Sequence, residues 1–142
     1  MNSVIKVKTI NESVMELIIQ KESVAEDVKK IFTEYYPFLK IELYKMPVPG
    51  KQPTKREMLP SGFPLGSFIN ASNNKIVDIS GHVTVAELEK EFTSLGLMAE
   101  VFRKSGNVWI ETILTNDWTL HQQNAEGEEI SRHFNQKRIS SS

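Results

Sequence analysis

The sequence predicts an α+β fold: two helices packed on one face of a mostly antiparallel, ferredoxin-like sheet, in the order β-α-β then β-α-β-β. Three observations lead there. SVAEDVKKIF, a capped amphipathic segment, runs into the alternating stretch LKIELYK. TVAELEKEF, a second such segment, runs into LMAEVFRK. After the second stretch, Ser105-Gly106 offers a tight turn before another alternating run. Apolar residues at helical spacing followed by apolar residues at alternate positions mark a helix leading into a half-buried strand. Two such units cover one face of one sheet with two helices.

Taken in order, Val4 to Ile10 alternates weakly and reads as an edge strand, and VMELIIQ (14–20) is a stronger strand candidate. Ser23 with Glu26 three residues later reads as a capping box, and Val24, Val28, Ile31 and Tyr35 form the apolar stripe of the first helix. Pro37 ends that helix, because the residue before proline is pushed out of helical geometry. In LKIELYK (39–45), Leu39, Ile41 and Leu43 face one way and Lys40, Glu42 and Tyr44 the other. A long loop follows, 46–66, holding five of the six prolines and a basic middle of Lys51, Lys55 and Arg56. Loops of that length inside a domain are commonly functional or unstructured. Leu65 to Ala71 reads as a short strand and KIVDI (75–79) as another, entering the second helix.

That second helix has signals at both ends. Thr84 and Glu87 make a capping box, Val83 and Leu88 a hydrophobic staple, and Gly96 is placed for the left-handed position beyond the C-terminus. Val85, Leu88, Phe92 and Leu95 form its stripe. A turn centred on Ser105-Gly106 then sets Phe102 opposite Trp109 and Glu100 opposite Glu111. Ala99, Val101, Val108, Ile110 and Leu114 make a uniformly apolar face for the helices. Met98, Glu100, Phe102, Trp109, Glu111 and Ile113 make a mixed face pointing away, with Tyr44 alongside. Like charges directly opposite are unfavourable, so Glu100 and Glu111 call for water or a cation between them. Asp117 is placed to cap a short helix, and Trp118 and Leu120 to anchor the polar segment 117–124 onto the domain. These elements make residues 1–127 one domain, and 128–142 reads as a polar, disordered tail.

The two units echo each other, Glu42-Leu43-Tyr44-Lys45 against Glu100-Val101-Phe102-Arg103, either because capped amphipathic helices leading into strands share the same local chemistry or through an internal duplication. Pro37-Phe38-Leu39-Lys40, TVAELE, VFRKSG and Asp117-Trp118-Thr119-Leu120 with Gln123-Asn124 together resemble a group of small uncharacterised bacterial proteins. That resemblance runs from the first helix to Gly127 and implies no activity, cofactor or partner.

Composition narrows the function classes. The chain has 142 residues, 17 basic and 18 acidic side chains, and no cysteine. No net field draws it to nucleic acid or an anionic membrane. Disulfides, thiolate catalysis and cysteine-ligated metals are excluded. Apolar runs fall short of a bilayer span, and the N-terminus lacks a signal pattern, so a cytoplasmic protein is expected. His82, His121 and His133 lack zinc-motif spacing, and no serine-nucleophile signature or phosphate-cradling loop is present. Glu100 and Glu111 as an acid/base pair would need a pocket that a flat strand face does not offer. Tyr44, Phe102 and Trp109 could stack bases, but Glu42, Glu100 and Glu111 share their face and repel phosphates. The expected function is a non-enzymatic interaction module without cofactor or metal. It would use Tyr44, Phe102, Trp109, Glu100 and Glu111 to bind a second copy (a homodimer) or another protein. The alternative is a ligand site at Asp117, Trp118, His121, Gln122 and Asn124 together with the 46–66 loop.

Overall fold

The computed structural model describes residues 5–11, 14–47, 50, 57–68 and 75–140, with the backbone alone for 5–11 and 138–140. The order is β1 (Ile5–Asn11), β2 (Val14–Ile19), α1 (Ala25–Tyr35), β3 (Leu39–Lys45), β4 (Lys75–Asp78), α2 (Val85–Ser94), β5 (Leu97–Ser105), β6 (Val108–Glu111) and α3 (Leu120–Ser140). The strands form two sheets, β1-β2-β4 and β3-β5-β6, antiparallel throughout. The expected single ferredoxin-like sheet with two helices is therefore corrected to two three-stranded sheets and three helices.

The reason lies in what pairs with what. In each strand–helix–strand unit the first strand joins one sheet and the second joins the other. β2 pairs with β4, with Leu17 opposite Val77, and β3 pairs with β5, with Ile41 opposite Val101. In a ferredoxin-like sheet β4 would lie between β2 and β3, and β5 would lie on the far side of β2. Here β5 pairs with β3 instead, and the other edge of β3 is partly taken. Lys45 N–H donates to Glu57 O and Leu59 N–H to Leu43 O, both at 2.9 Å. Leu17, Ile19 and Val77 from one sheet, Ile79 just past β4, and Leu39, Ile41, Leu43 and Val101 from the other sheet meet in one core with the apolar stripes of α1 and α2.

The two units also match in hydrogen bonding, beyond the segments in which the sequence echo is visible. At the start of α1, Ala25 and Glu26 donate to Phe63 O and Ser61 O; at the start of α2, Val85 and Ala86 donate to Trp118 O and Asn116 O. Leu65 N–H returns to Ser23 O as Leu120 N–H returns to Val83 O. The first amides of a helix have no partner within it. Here turns at 60–65 and 115–120 supply the carbonyls. The first of these turns lies in the stretch expected to be loop, and the Leu65–Ala71 strand is replaced at Gly66–Phe68 by a 3₁₀ turn. Lys51, Lys55 and Arg56 lie outside the described residues.

The caps follow the sequence in part. Thr84 Oγ1 accepts from Glu87 N–H at 3.1 Å and Glu87 Oε1 from Thr84 N–H at 3.0 Å, the capping box anticipated for α2. That bond holds the Glu87 carboxyl below its usual range. Gly96 has φ of +92° beyond the end of the helix. In α1 the N-cap is Val24 rather than Ser23, and Asp27 accepts from its N–H at 2.9 Å. Ser23 instead accepts from Gln20 N–H. Past α1, Tyr36 is buried, its ring 5.4 Å from Phe32 and its hydroxyl donating to Ile79 O. Burial, with the Asp78 carboxylate adding to it, pushes the phenol from 10.0 up to about 12. A raised acid pKa keeps the proton in the folded state after the unfolded chain has released it, so stability falls as pH rises between about 10 and 12. Urea melts across that window should show a loss in the parent that is absent from Tyr36→Phe, over the lysine titration common to both.

The largest departure is α3. Leu120–Ser140 is one helix, where a short helix and a disordered 128–142 tail were expected. Its N-cap is Thr119, not Asp117: Thr119 Oγ1 accepts from Gln122 N–H at 3.1 Å and Gln122 Oε1 from Thr119 N–H at 2.9 Å. The side facing the protein carries Leu120, Gln123, Gly127 and Ser131, all buried, and then Phe134. These positions recur at helical spacing, yet only the first and last are apolar. That is why periodicity in hydrophobicity misses the helix.

Candidate partner-binding face

The hairpin register decides what sits on the face of β3-β5-β6 that points away from the core. Ser105 pairs with Val108 across a two-residue loop, Gly106-Asn107, so Trp109 lies opposite Lys104 and Glu111 opposite Phe102. The expected register was displaced by two residues. A shift of two preserves which face each side chain takes, because side chains alternate with period two. Gly106 has φ of +69°, as the first position of a tight hairpin turn of this kind requires. Phe134 of α3 closes over that turn: a Cβ on Gly106 would lie 2.9 Å from its ring.

Glu100 consequently faces Glu42, not Glu111. Both carboxylates are buried, 5% and 7% exposed, where opposed like charges are costly. A cation answers Glu42: Lys29 Nζ of α1 stands 3.2 Å from Glu42 Oε1 and 3.3 Å from Oε2. Tyr44 is buried too, its backbone bridged to Met58. These three residues form the floor of the face rather than its contact surface.

The accessible part lies toward the hairpin. Trp109 is 38% exposed and Glu111 is exposed, while Phe102 is half-buried. Lys40 Nζ stands 5.2 Å from the Phe102 ring centre and 5.3 Å from that of Trp109, and Lys104 Nζ 6.0 Å from Trp109. Cations at this range are attracted by the electron-rich ring face. Between these rings and α1 runs an open groove of about 570 Å³, lined by Lys29, Lys30, Thr33, Glu34, Lys40, Ile41, Glu42 and Trp109. Of the eight exposed large apolar side chains among the described residues, Val108, Trp109, Ile113 and Leu114 fall on β6 and the turn after it. Leu114, expected under a helix, is 96% exposed because the chain leaves the sheet at Thr112, whose hydroxyl donates to Val101 O at 2.7 Å.

The alternative site residues are dispersed into structural tasks. Asp117 is exposed. Trp118 lies beneath the Arg103 guanidinium at 5.4 Å. The His121 side chain is exposed while its N–H donates to Gly81 O. Gln122 completes the α3 cap, and Asn124 Oδ1 accepts from Phe38 N–H at 2.8 Å. The residue that joins this region together is Gln123, which was not singled out. It is fully buried; its Oε1 accepts from Arg103 at 2.8 Å and its Nε2 donates to Thr115 O at 2.7 Å and Thr115 Oγ1 at 2.8 Å. The available signal was its position three residues after Leu120, on the same side of a helix.

Among the described residues there is no group of three or more His, Cys, Asp or Glu able to hold a metal ion, and no helix long and apolar enough to cross a membrane. No family model, curated protein or solved structure matches the chain.

Proposed function

We propose that this chain is a non-enzymatic protein-interaction module whose contact surface is the hairpin end of the β3-β5-β6 face. The observation that carries the proposal is Trp109, a partly exposed indole on the rim of an open groove, with Lys40 and Lys104 against its ring. Tryptophan at the centre of a contact contributes a large apolar area with little rotamer entropy to lose, which is why it dominates many interfaces. Phe102 and Glu111 complete the surface; Tyr44 and Glu100, buried beneath it, hold its shape. Val108, Ile113 and Leu114 extend the apolar area along β6 and the following turn. A photo-crosslinking residue at position 109, introduced in cells that make the protein, should yield protein adducts on irradiation. The same residue at exposed Glu22, in the turn between β2 and α1, should not. Adducts no more abundant at 109 than at 22 would defeat the proposal.

A further inference from the structure

The backbone phase of the hairpin shows which hydrogen-bonding groups β6 leaves unused. Lys104 N–H donates to Phe38 O beside β3, while Val101 O turns the other way and accepts from the Thr112 side-chain hydroxyl. Odd-numbered residues of β5 therefore address β6, and even-numbered ones address β3. A two-residue hairpin loop has its flanking residues as a hydrogen-bonded pair. Ser105 and Arg103 thus bond Val108 and Ile110. The N–H and C=O of Trp109 and Glu111 must point to the other edge, where no strand lies among the described residues. An edge strand with unpaired backbone groups and apolar side chains is a template for another strand.

The geometry points to a second copy of this chain as the occupant, docked by antiparallel β6–β6 pairing about a two-fold axis at Ile110. The inference rests on the interaction reading above and names its partner. Three registers present outward-facing groups to one another. One sets Glu111 against Glu111, opposing like charges. Another sets Trp109 against Trp109 and leaves Glu111 facing the turn residue Asn107. The third sets Trp109 against the second copy's Glu111 at both ends, forming four backbone hydrogen bonds, with Ile110 against its own counterpart. Only this third register matches charge. Lys104 lies opposite Trp109 on β5, and Lys40 lies over the same ring. The incoming carboxylate arrives on the far side of that ring, in the same row and on the same face. The six strands then form one continuous sheet, and Val108 of each copy meets the end of the other's β6, beside exposed Ile113 and Leu114. A closed two-fold contact of this kind also removes the β6 edge of both copies, which prevents further growth through that edge.

The test uses the full chain and sedimentation at about 100 μM. The parent should sediment at twice its 16.2 kDa mass. Glu111→Pro removes an outward donor without touching a β5–β6 bond, and proline is tolerated on an edge strand when its nitrogen faces solvent. It should keep the parent's circular dichroism and raise the dimer Kd by about 30-fold or more. Because the chain has no cysteine, Ile110→Cys provides a second readout. Directly opposed residues of a non-hydrogen-bonded antiparallel pair sit about 4.5 Å apart between Cα atoms, within disulfide range. It should oxidise to a covalent dimer, whereas Val108→Cys should not. A monomeric parent overturns the inference, and so does a dimer that Glu111→Pro leaves intact. The crosslink at position 109 decides the interaction reading separately: adducts of another mass would uphold that reading while this inference fails.

Discussion

Replacing Gly127 with leucine should cost about 3 kcal/mol or more and release α3 from the hairpin. Gly127 lies in the middle of that helix, against the sheet. A Cβ there would sit 2.9 Å from Phe38 Cβ, 3.1 Å from Arg103 Cγ and 3.1 Å from Lys104 O. Phe38 Cβ and the Lys104 carbonyl are held by the backbone and cannot swing away. Glycine in a helix interior is ordinarily about 1 kcal/mol worse than alanine, so on an open helix Gly127→Ala would stabilise. Here even alanine should destabilise, by about 1 kcal/mol after that gain is subtracted. Urea denaturation of the two variants checks both the sign for alanine and the order of the pair. A stabilised Gly127→Ala would mean that α3 stands further from Lys104 than the structure places it.

Gln123→Leu should be comparable in size, about 3 kcal/mol. The three partners of this buried amide leave it one orientation, since arginine only donates and a backbone carbonyl only accepts. Leucine fills a similar volume but strands the Arg103 guanidinium beside Trp118 and leaves the Thr115 carbonyl without its amide. Arg103 is half-buried, and removing a partner of a charged group withdrawn in part from water costs part of the desolvation of what remains. Gln123→Glu keeps the bond to Arg103 but places a second acceptor against Thr115 O, so it should recover only part of the loss. Denaturant midpoints in that order, glutamine above glutamate above leucine, would establish Gln123 as the joint between α3, β5 and the turn after β6.

Local chemistry in the sequence settled much of the outcome. The Thr84–Glu87 box, Gly96 and the stripes of α1 and α2 act through neighbours no more than four residues away, and each is legible without the fold. The division of β5 and β6 into two faces was legible for the same reason. It depends on period-two alternation, which a register displaced by two leaves unchanged, so Phe102 and Trp109 share a face in the structure as expected.

What the sequence left open was decided by contacts between distant segments. One sheet or two depends on whether β3 and β5 pair with each other or join β4 and β2, and no strand's residues state its neighbour. The partner of Glu100 turned out to be Glu42, with Lys29 answering Glu42 from a helix, because pairing β3 with β5 brings together residues 58 positions apart. The helix α3 offers the clearest case. Its contact side is built from Gln123, Gly127 and Ser131, which carry no hydrophobic signal and resemble a solvated tail when read alone. A polar side chain or a glycine becomes an interior residue only when a partner surface lies close enough to bond it or to exclude a Cβ. Arg103, Phe38 and the Lys104 carbonyl provide that surface, and only the folded chain sets them opposite α3.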